Sequence, residues 1–213
     1  MRALLILAGL LAPAVAEASP DSCKQELAAR RVSWKAAKLP GIANPVEITG
    51  PLGGITYSSY DRPLIIDCSL AVSLDEAGKY MAALGFDKAF FSNAYSRRTV
   101  RGTNRPSKHS FGLAIDIHWF TMSGVAGSPA GTDTLRIDRD YEQGLGDDVD
   151  CVGKPLTQGG ATLKILQCQL VRSGLFFLVL SPDYDDAHHD HFHLEVKPWD
   201  ARTELRSPAP AIH

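Results

Sequence analysis

The chain has 213 residues, 45% of them hydrophobic and 22% charged, with a formal net charge of -2. That balance excludes a disordered chain and gives no basic surface for nucleic acid. The roughly 195 residues that follow an N-terminal leader suffice for one domain with a real core.

Residues 1–18 open on Met1 and a positive charge at Arg2, continue through an apolar run from Ala3 to Leu11 and end on the small residues Ala14, Ala16 and Ala18. This is the pattern of a cleaved signal peptide, and its apolar run is too short to span a bilayer. We expect an exported protein without stable membrane insertion, residues 19–200 forming the domain and 201–213 a Ser/Pro/Ala tail. A first helix is predicted from Asp21, where cap residues precede helix formers. Ser69–Leu84 has apolar residues at helical spacing and ends at Gly85, which suits a left-handed cap. Lys88–Tyr95 reads as a strand that leads into an arginine-rich loop, and Gly112–Phe120 as a second strand. From Gly124 to Gly153 the chain is rich in glycine and aspartate, an excursion expected to shape one wall of a cleft. Thr157–Ser173 predicts another helix closed by Gly174. Leu175–Leu180 reads as a buried strand with His191–Val196 as its partner. The four cysteines allow three pairings, of which we favour Cys23–Cys68 and Cys151–Cys168, and no Cys-x-x-Cys points to metal.

Two short stretches carry the chemistry: Ser107-Lys-His109-Ser-Phe-Gly112-Leu-Ala114-Ile-Asp116, and Asp190-His191-Phe-His193. A catalytic zinc takes three protein ligands from His nitrogen and carboxylate oxygen and keeps one position open. In a strand, His191 and His193 point the same way while Phe192 packs behind them, so one ring can bind metal and the other can touch substrate. His109 sits on the approach to a strand that aims Asp116, so segments some 70 residues apart would converge on one ion. His118 shares the face of Asp116 but lies outside the motif, and is read as a supporting or solvent-facing residue. His188 and His189 are read as loop residues.

The pattern Ser-x-His-x-x-Gly-x-Ala-x-Asp followed by Asp-His-x-His resembles the zinc peptidases of the D-alanyl-D-alanine carboxypeptidase and Hedgehog-like fold. Ala94-Tyr-Ser-Arg-Arg98, Arg101-Gly102, Ser107-Lys-His109 and Val179-Leu-Ser-Pro182-Asp-Tyr184 bring the chain closer to one bacterial branch, the extensin-like C-terminal domain proteins. The resemblance runs over roughly residues 20 to 200, with Arg97, Ser181 and Asp185 standing where that branch often has cysteine, glycine and asparagine. It implies an α+β domain with a small antiparallel sheet and flanking helices, in which His109, Asp116 and His193 bind Zn2+. Asp190, three residues before His193, is then the base that takes a proton from the attacking water, with His191 steadying it or the developing oxyanion. Arg98 and Arg101 are the implied anchors for a substrate carboxylate, and Ser107 either donates to a substrate carbonyl or caps the turn before His109. The implied activity is zinc-dependent hydrolysis of amide bonds in peptidoglycan stem or cross-link peptides, by a monomer in the periplasm. The alternative is a zinc-containing cell-wall-binding module of the same fold without catalysis.

Overall fold

A computed structural model describes residues 20–123, 132–145 and 153–201. The expected signal peptide, Cys151 and nearly all of the tail therefore lie outside the described residues. The elements run in the order α1 (Pro20–Ala29), β1 (Trp34–Ala36), β2 (Pro45–Ile48), β3 (Thr56–Ser58), β4 (Ile65–Asp67), α2 (Cys68–Ala83) and β5 (Lys88–Asn93). A 3-10 turn at Lys108–Phe111 leads to β6 (Ala114–Ser123), followed by β7 (Thr132–Arg136), the short α3 (Ile137–Asp140), α4 (Gln158–Arg172), β8 (Leu178–Leu180) and β9 (Phe192–Glu195). The class is mixed α+β, as expected, but there are two sheets: a three-stranded one in the order β1-β2-β4 and a six-stranded one in the order β3-β5-β6-β9-β8, with β7 also paired to β6. All pairings are antiparallel except that of β3 with β5.

The large sheet has two chemically opposite faces because side chains alternate along a strand. Ile115 and Ile117 of β6 and Phe192 and Leu194 of β9 are fully buried. They share one core with Leu70, Leu74, Ala77 and Met81 of α2 and with Leu163, Leu166 and Leu170 of α4. Those helical positions recur every three to four residues, so each helix presents an apolar stripe to the sheet. Each fully buried Leu, Ile or Phe contributes about 1.5–3 kcal/mol relative to exposure, and this is what holds β6 against β9. The residues between them, Asp116, His118 and His193, are left for the other face.

Both long helices start on side-chain caps. Asp67 Oδ1 accepts from the Ser69 backbone N–H at 2.9 Å and from the Ser69 hydroxyl at 2.6 Å, while Thr157 Oγ1 accepts from Gly160 N at 2.9 Å. The expected disulfide Cys23–Cys68 joins α1 to the first residue of α2 across a sequence separation of 45. Closing a loop of that length stabilises the fold by about 4 kcal/mol in the chain-entropy account. Cys168 is also disulfide-bonded. Arg30, just beyond α1, adds hydrogen bonds to Glu26, Asp75 and Glu76, and Trp199 Nε1 donates to Ser22 Oγ, closing the C-terminal segment onto α1.

Two expectations change. The strand expected over Leu175–Leu180 is only Leu178–Leu180, and Phe177 is exposed, because the chain is still turning away from α4. Within the described part of the Gly124–Gly153 excursion, Thr132–Arg136 is itself a strand, paired with Trp119–Ser123 of β6, and leads into α3. No described helix is long and apolar enough to cross a membrane.

Candidate metal centre

Asp116 and His193 are direct cross-strand partners, one on β6 and the other on β9. Opposed residues of an antiparallel pair project to the same side at close range, so this register alone brings the carboxylate and the imidazole together. His109 reaches them from the 3-10 turn, and four contacts fix that turn. The Ser107 hydroxyl accepts from His109 N at 3.4 Å. Gly112 ends the turn in a left-handed conformation with φ 63°. The Gly112 carbonyl accepts from Asp67 N at 2.9 Å, the residue that caps α2. A Cβ at Gly112 would lie 2.8 Å from that same nitrogen and 2.8 Å from Ile42 Cδ1. Ser110 Oγ donates to the Arg98 carbonyl at 2.8 Å and accepts from Arg98 N at 3.0 Å, holding the arginine loop against the turn.

The three side chains meet at single atoms. His109 Nε2 is 3.1 Å from Asp116 Oδ1 and 3.3 Å from His193 Nδ1, and His193 Nδ1–H donates to Asp116 Oδ1 at 2.6 Å. All three residues are buried. Ligands about 2.0–2.2 Å from a tetrahedral zinc lie about 3.3 Å apart, so two edges of this triangle already match and the third is a hydrogen bond that a cation replacing the proton would open. Two imidazoles and one carboxylate form a donor set that suits zinc, with one position left for a non-protein group. The residues fit the ion.

The electrostatics agree with a cation-seeking pocket. Asp116 is held far below the ordinary carboxylate range: burial pushes it up, but its hydrogen bonds to His109 and His193 outweigh that. Burial pulls His193 down too, yet its bonds to Asp116 and Glu195 raise it to about 9. His109, dominated by burial, is lowered and stays neutral at pH 7. In the metal-free chain a proton on His193 thus occupies the place where a metal ion would put its charge.

Glu195, which the sequence reading passed over, accepts from His193 Nε2 at 3.1 Å. A carboxylate behind a ligating imidazole fixes its orientation and raises its basicity. Its signal was present in the sequence: Glu195 follows His193 by two residues and therefore shares its face. His109 has no such support, since its Nδ1 is buried without a hydrogen-bond partner among the described residues.

Beside the triad, His191 Nδ1–H donates to Asp190 Oδ1 at 2.8 Å while its Nε2 lies 3.6 Å from Asp116 Oδ1, so this ring spans the gap between Asp190 and the triad. Burial, the largest influence on His191, lowers its pKa. Asp190 is half-exposed and held below the usual carboxylate range, because its hydrogen bond to His191 and the charges of His118 and His191 outweigh burial. His118, set aside in the sequence reading, lies on the same side with Nδ1 3.5 Å from Asp190 Oδ2. His188, read as a loop residue, comes near His191 and His193, with ring centroids at 5.1 and 5.7 Å.

The arginines fall elsewhere. Arg98 is exposed and lines a groove with Pro40, Arg97, Thr99, Pro106 and Phe111, a lining that contains none of the three candidate ligands. It is still near enough for its charge to help lower His109. Arg101 is exposed in the turn beyond. Ser107 is buried and serves as the cap of the turn, the local role among its two expected ones.

No curated protein and no solved structure matches the chain. Residues 164–204 match the family model described as extensin-like protein C-terminus, a span that runs from α4 through β9 and so contains Asp190, His191, His193 and Glu195 but neither His109 nor Asp116.

Proposed function

We propose that the protein is a zinc-dependent peptidase that hydrolyses an amide bond in peptidoglycan stem or cross-link peptides. It would be exported to the periplasm and share the fold of the D-alanyl-D-alanine carboxypeptidase and Hedgehog-like family. The observation that carries this reading is the meeting of His109 Nε2, Asp116 Oδ1 and His193 Nδ1 beside a carboxylate, Asp190, that is not one of the three. When bound, zinc would supply Lewis acidity to a scissile carbonyl and make an attacking water more acidic.

The chain's own residues do the rest. Asp190 accepts the proton of the attacking water on the oxygen not engaged by His191 and passes it to the leaving amine. His191, anchored by that carboxylate, turns its Nε2 toward the triad, where the protonated ring, with an N–H on both nitrogens, donates from Nε2 to the oxyanion of the tetrahedral intermediate. Arg98 offers a two-pronged contact for a substrate carboxylate at the groove's edge.

One observation favours a second reading, a zinc-containing wall-binding module without catalysis: Asp190 is held at low pKa, and a base works best when its pKa lies near the working pH. The same variants test both readings. Asp190→Ala should keep the tightly bound zinc and slow muropeptide cleavage by at least the ~100-fold of a lost general base, whereas His193→Ala should lose that tight binding. Unchanged cleavage by Asp190→Ala refutes the assigned base. A zinc-loaded parent chain that binds wall peptides but never cleaves them establishes the binding module.

A further inference from the structure

The pairing of β5 with β6 shifts register twice within one short stretch. Phe90 pairs with Trp119 and Phe91 with Ile117, leaving His118 as an extra residue on β6; Phe91 pairs with Ile117 and Asn93 with Asp116, leaving Ser92 as an extra residue on β5. A bulge re-aims the side chain it displaces. The two displaced residues find each other: His118 Nε2 and Ser92 Oγ are 2.8 Å apart. In the tautomer whose Nε2–H donates to that hydroxyl, Nδ1 presents a lone pair, and Nδ1 is the atom that faces Asp190 Oδ2 at 3.5 Å. This is how metal-ligating imidazoles are oriented, one nitrogen fixed by a hydrogen bond and the other free for the ion.

Asp190 is held from its other side by His191 Nδ1 at 2.8 Å. One ligand atom from each of His118, Asp190 and His191 lies within 4.8 Å of the others. The His118–Asp190 separation is already close to the ~3.3 Å edge of a tetrahedral zinc site.

We propose that His118, Asp190 and His191 form a second zinc site next to the first. It is the weaker of the two, because its ligands are only partly buried and binding must displace the His191–Asp190 hydrogen bond. The inhibitory consequence rests on the reading of Asp190 as the base: zinc bound there occupies the carboxylate that must accept the proton, so zinc beyond the first equivalent inhibits hydrolysis.

The test is a zinc titration of the metal-free full chain followed by native mass spectrometry and calorimetry. The parent chain should take two zinc ions with separable affinities. His118→Ala should take one, at the tighter affinity, which also shows that it folds. Ser92→Ala should keep both sites but weaken the second by about 10–100-fold, the usual effect of losing a residue that orients a ligand. His193→Ala should retain only weak binding, abolished by adding His118→Ala. A parent chain that stops at one zinc, or a His118→Ala chain that still takes two, overturns the second site. A parent chain that takes none overturns the first site as well. If both ions bind as described but zinc beyond the first equivalent leaves hydrolysis unaffected, the assignment of Asp190 as base fails while the site stands.

Discussion

The two halves of the centre are built differently. His109, Asp116 and His193 are buried and held by the backbone of three elements, one of which is tied through Gly112 and Asp67 to the start of α2 and the Cys23–Cys68 disulfide. Asp190, His191 and His118 sit at the edge of solvent and are held mainly by side-chain bonds to one another and to Ser92. Burial makes a charged group costly unless it is paired, so the inner half favours a cation over water. Partial exposure lets the outer half exchange protons. The two proposed roles, tight ligation and proton transfer, ask for opposite surroundings, and one sheet face offers both within a few residues.

The inner half should break hardest. Asp116→Ala removes the carboxylate that both imidazoles face, and zinc affinity should fall by at least ~1000-fold, worth about 4 kcal/mol, by calorimetry. Gly112→Ala puts a Cβ against Asp67 N and Ile42 on a left-handed backbone. It should cost about 2–4 kcal/mol in denaturant unfolding and disturb the His109 turn with it.

A pH series sharpens the same half. In the metal-free chain His193 titrates near 9, above the ordinary histidine value of about 6.5. A raised folded pKa stabilises fully below the unfolded value and is lost as pH rises, so metal-free stability should fall between about pH 6.5 and 9, by something on the order of 3 kcal/mol. Zinc needs that ring neutral, so loading at pH 7.5 should release about one proton per ion and remove this decline. Urea midpoints across the series, with and without zinc, measure both.

Glu195→Ala, which removes only the support behind His193, should weaken zinc about 10–100-fold while leaving the fold intact. The smallest effect belongs to the outer loop. Asp185 caps the exposed turn Asp186–His188 through bonds to Ala187 N and His188 N, and Asp185→Ala should cost about 1 kcal/mol or less with no change in zinc affinity.

The sequence made the inner half readable because its causes are local and periodic. The spacing from His109 to Asp116, the alternation around His193 and the helical stripes of α2 and α4 each follow from one repeat, and the observed elements fall close to those expected. Strands β1 to β4 have three or four residues each, too few for any period to show, so the three-stranded sheet was not foreseen. His118 escaped for a different reason. Alternation already put it on the face of Asp116, but it lies outside the motif, and only the register of β5 against β6, with Ser92 displaced opposite it, shows what holds its ring. Glu195 was within reach, since one more step of the pattern that selected His193 finds it. Arg98 was chosen for what a guanidinium can bind, and sequence has no means of showing that its groove is lined by other residues than the ligands.

If the His109–Asp116–His193 cluster holds zinc for amide hydrolysis, mass spectrometry of muropeptides will show metal-dependent cleavage. The chain is incubated with peptidoglycan fragments after chelation and again after one equivalent of zinc is restored. No cleavage is expected without metal and, with it, new products whose combined mass exceeds that of the parent fragment by one water. Cleavage that persists in the fully chelated chain, or zinc-loaded protein that leaves every stem and cross-link peptide intact, would contradict it.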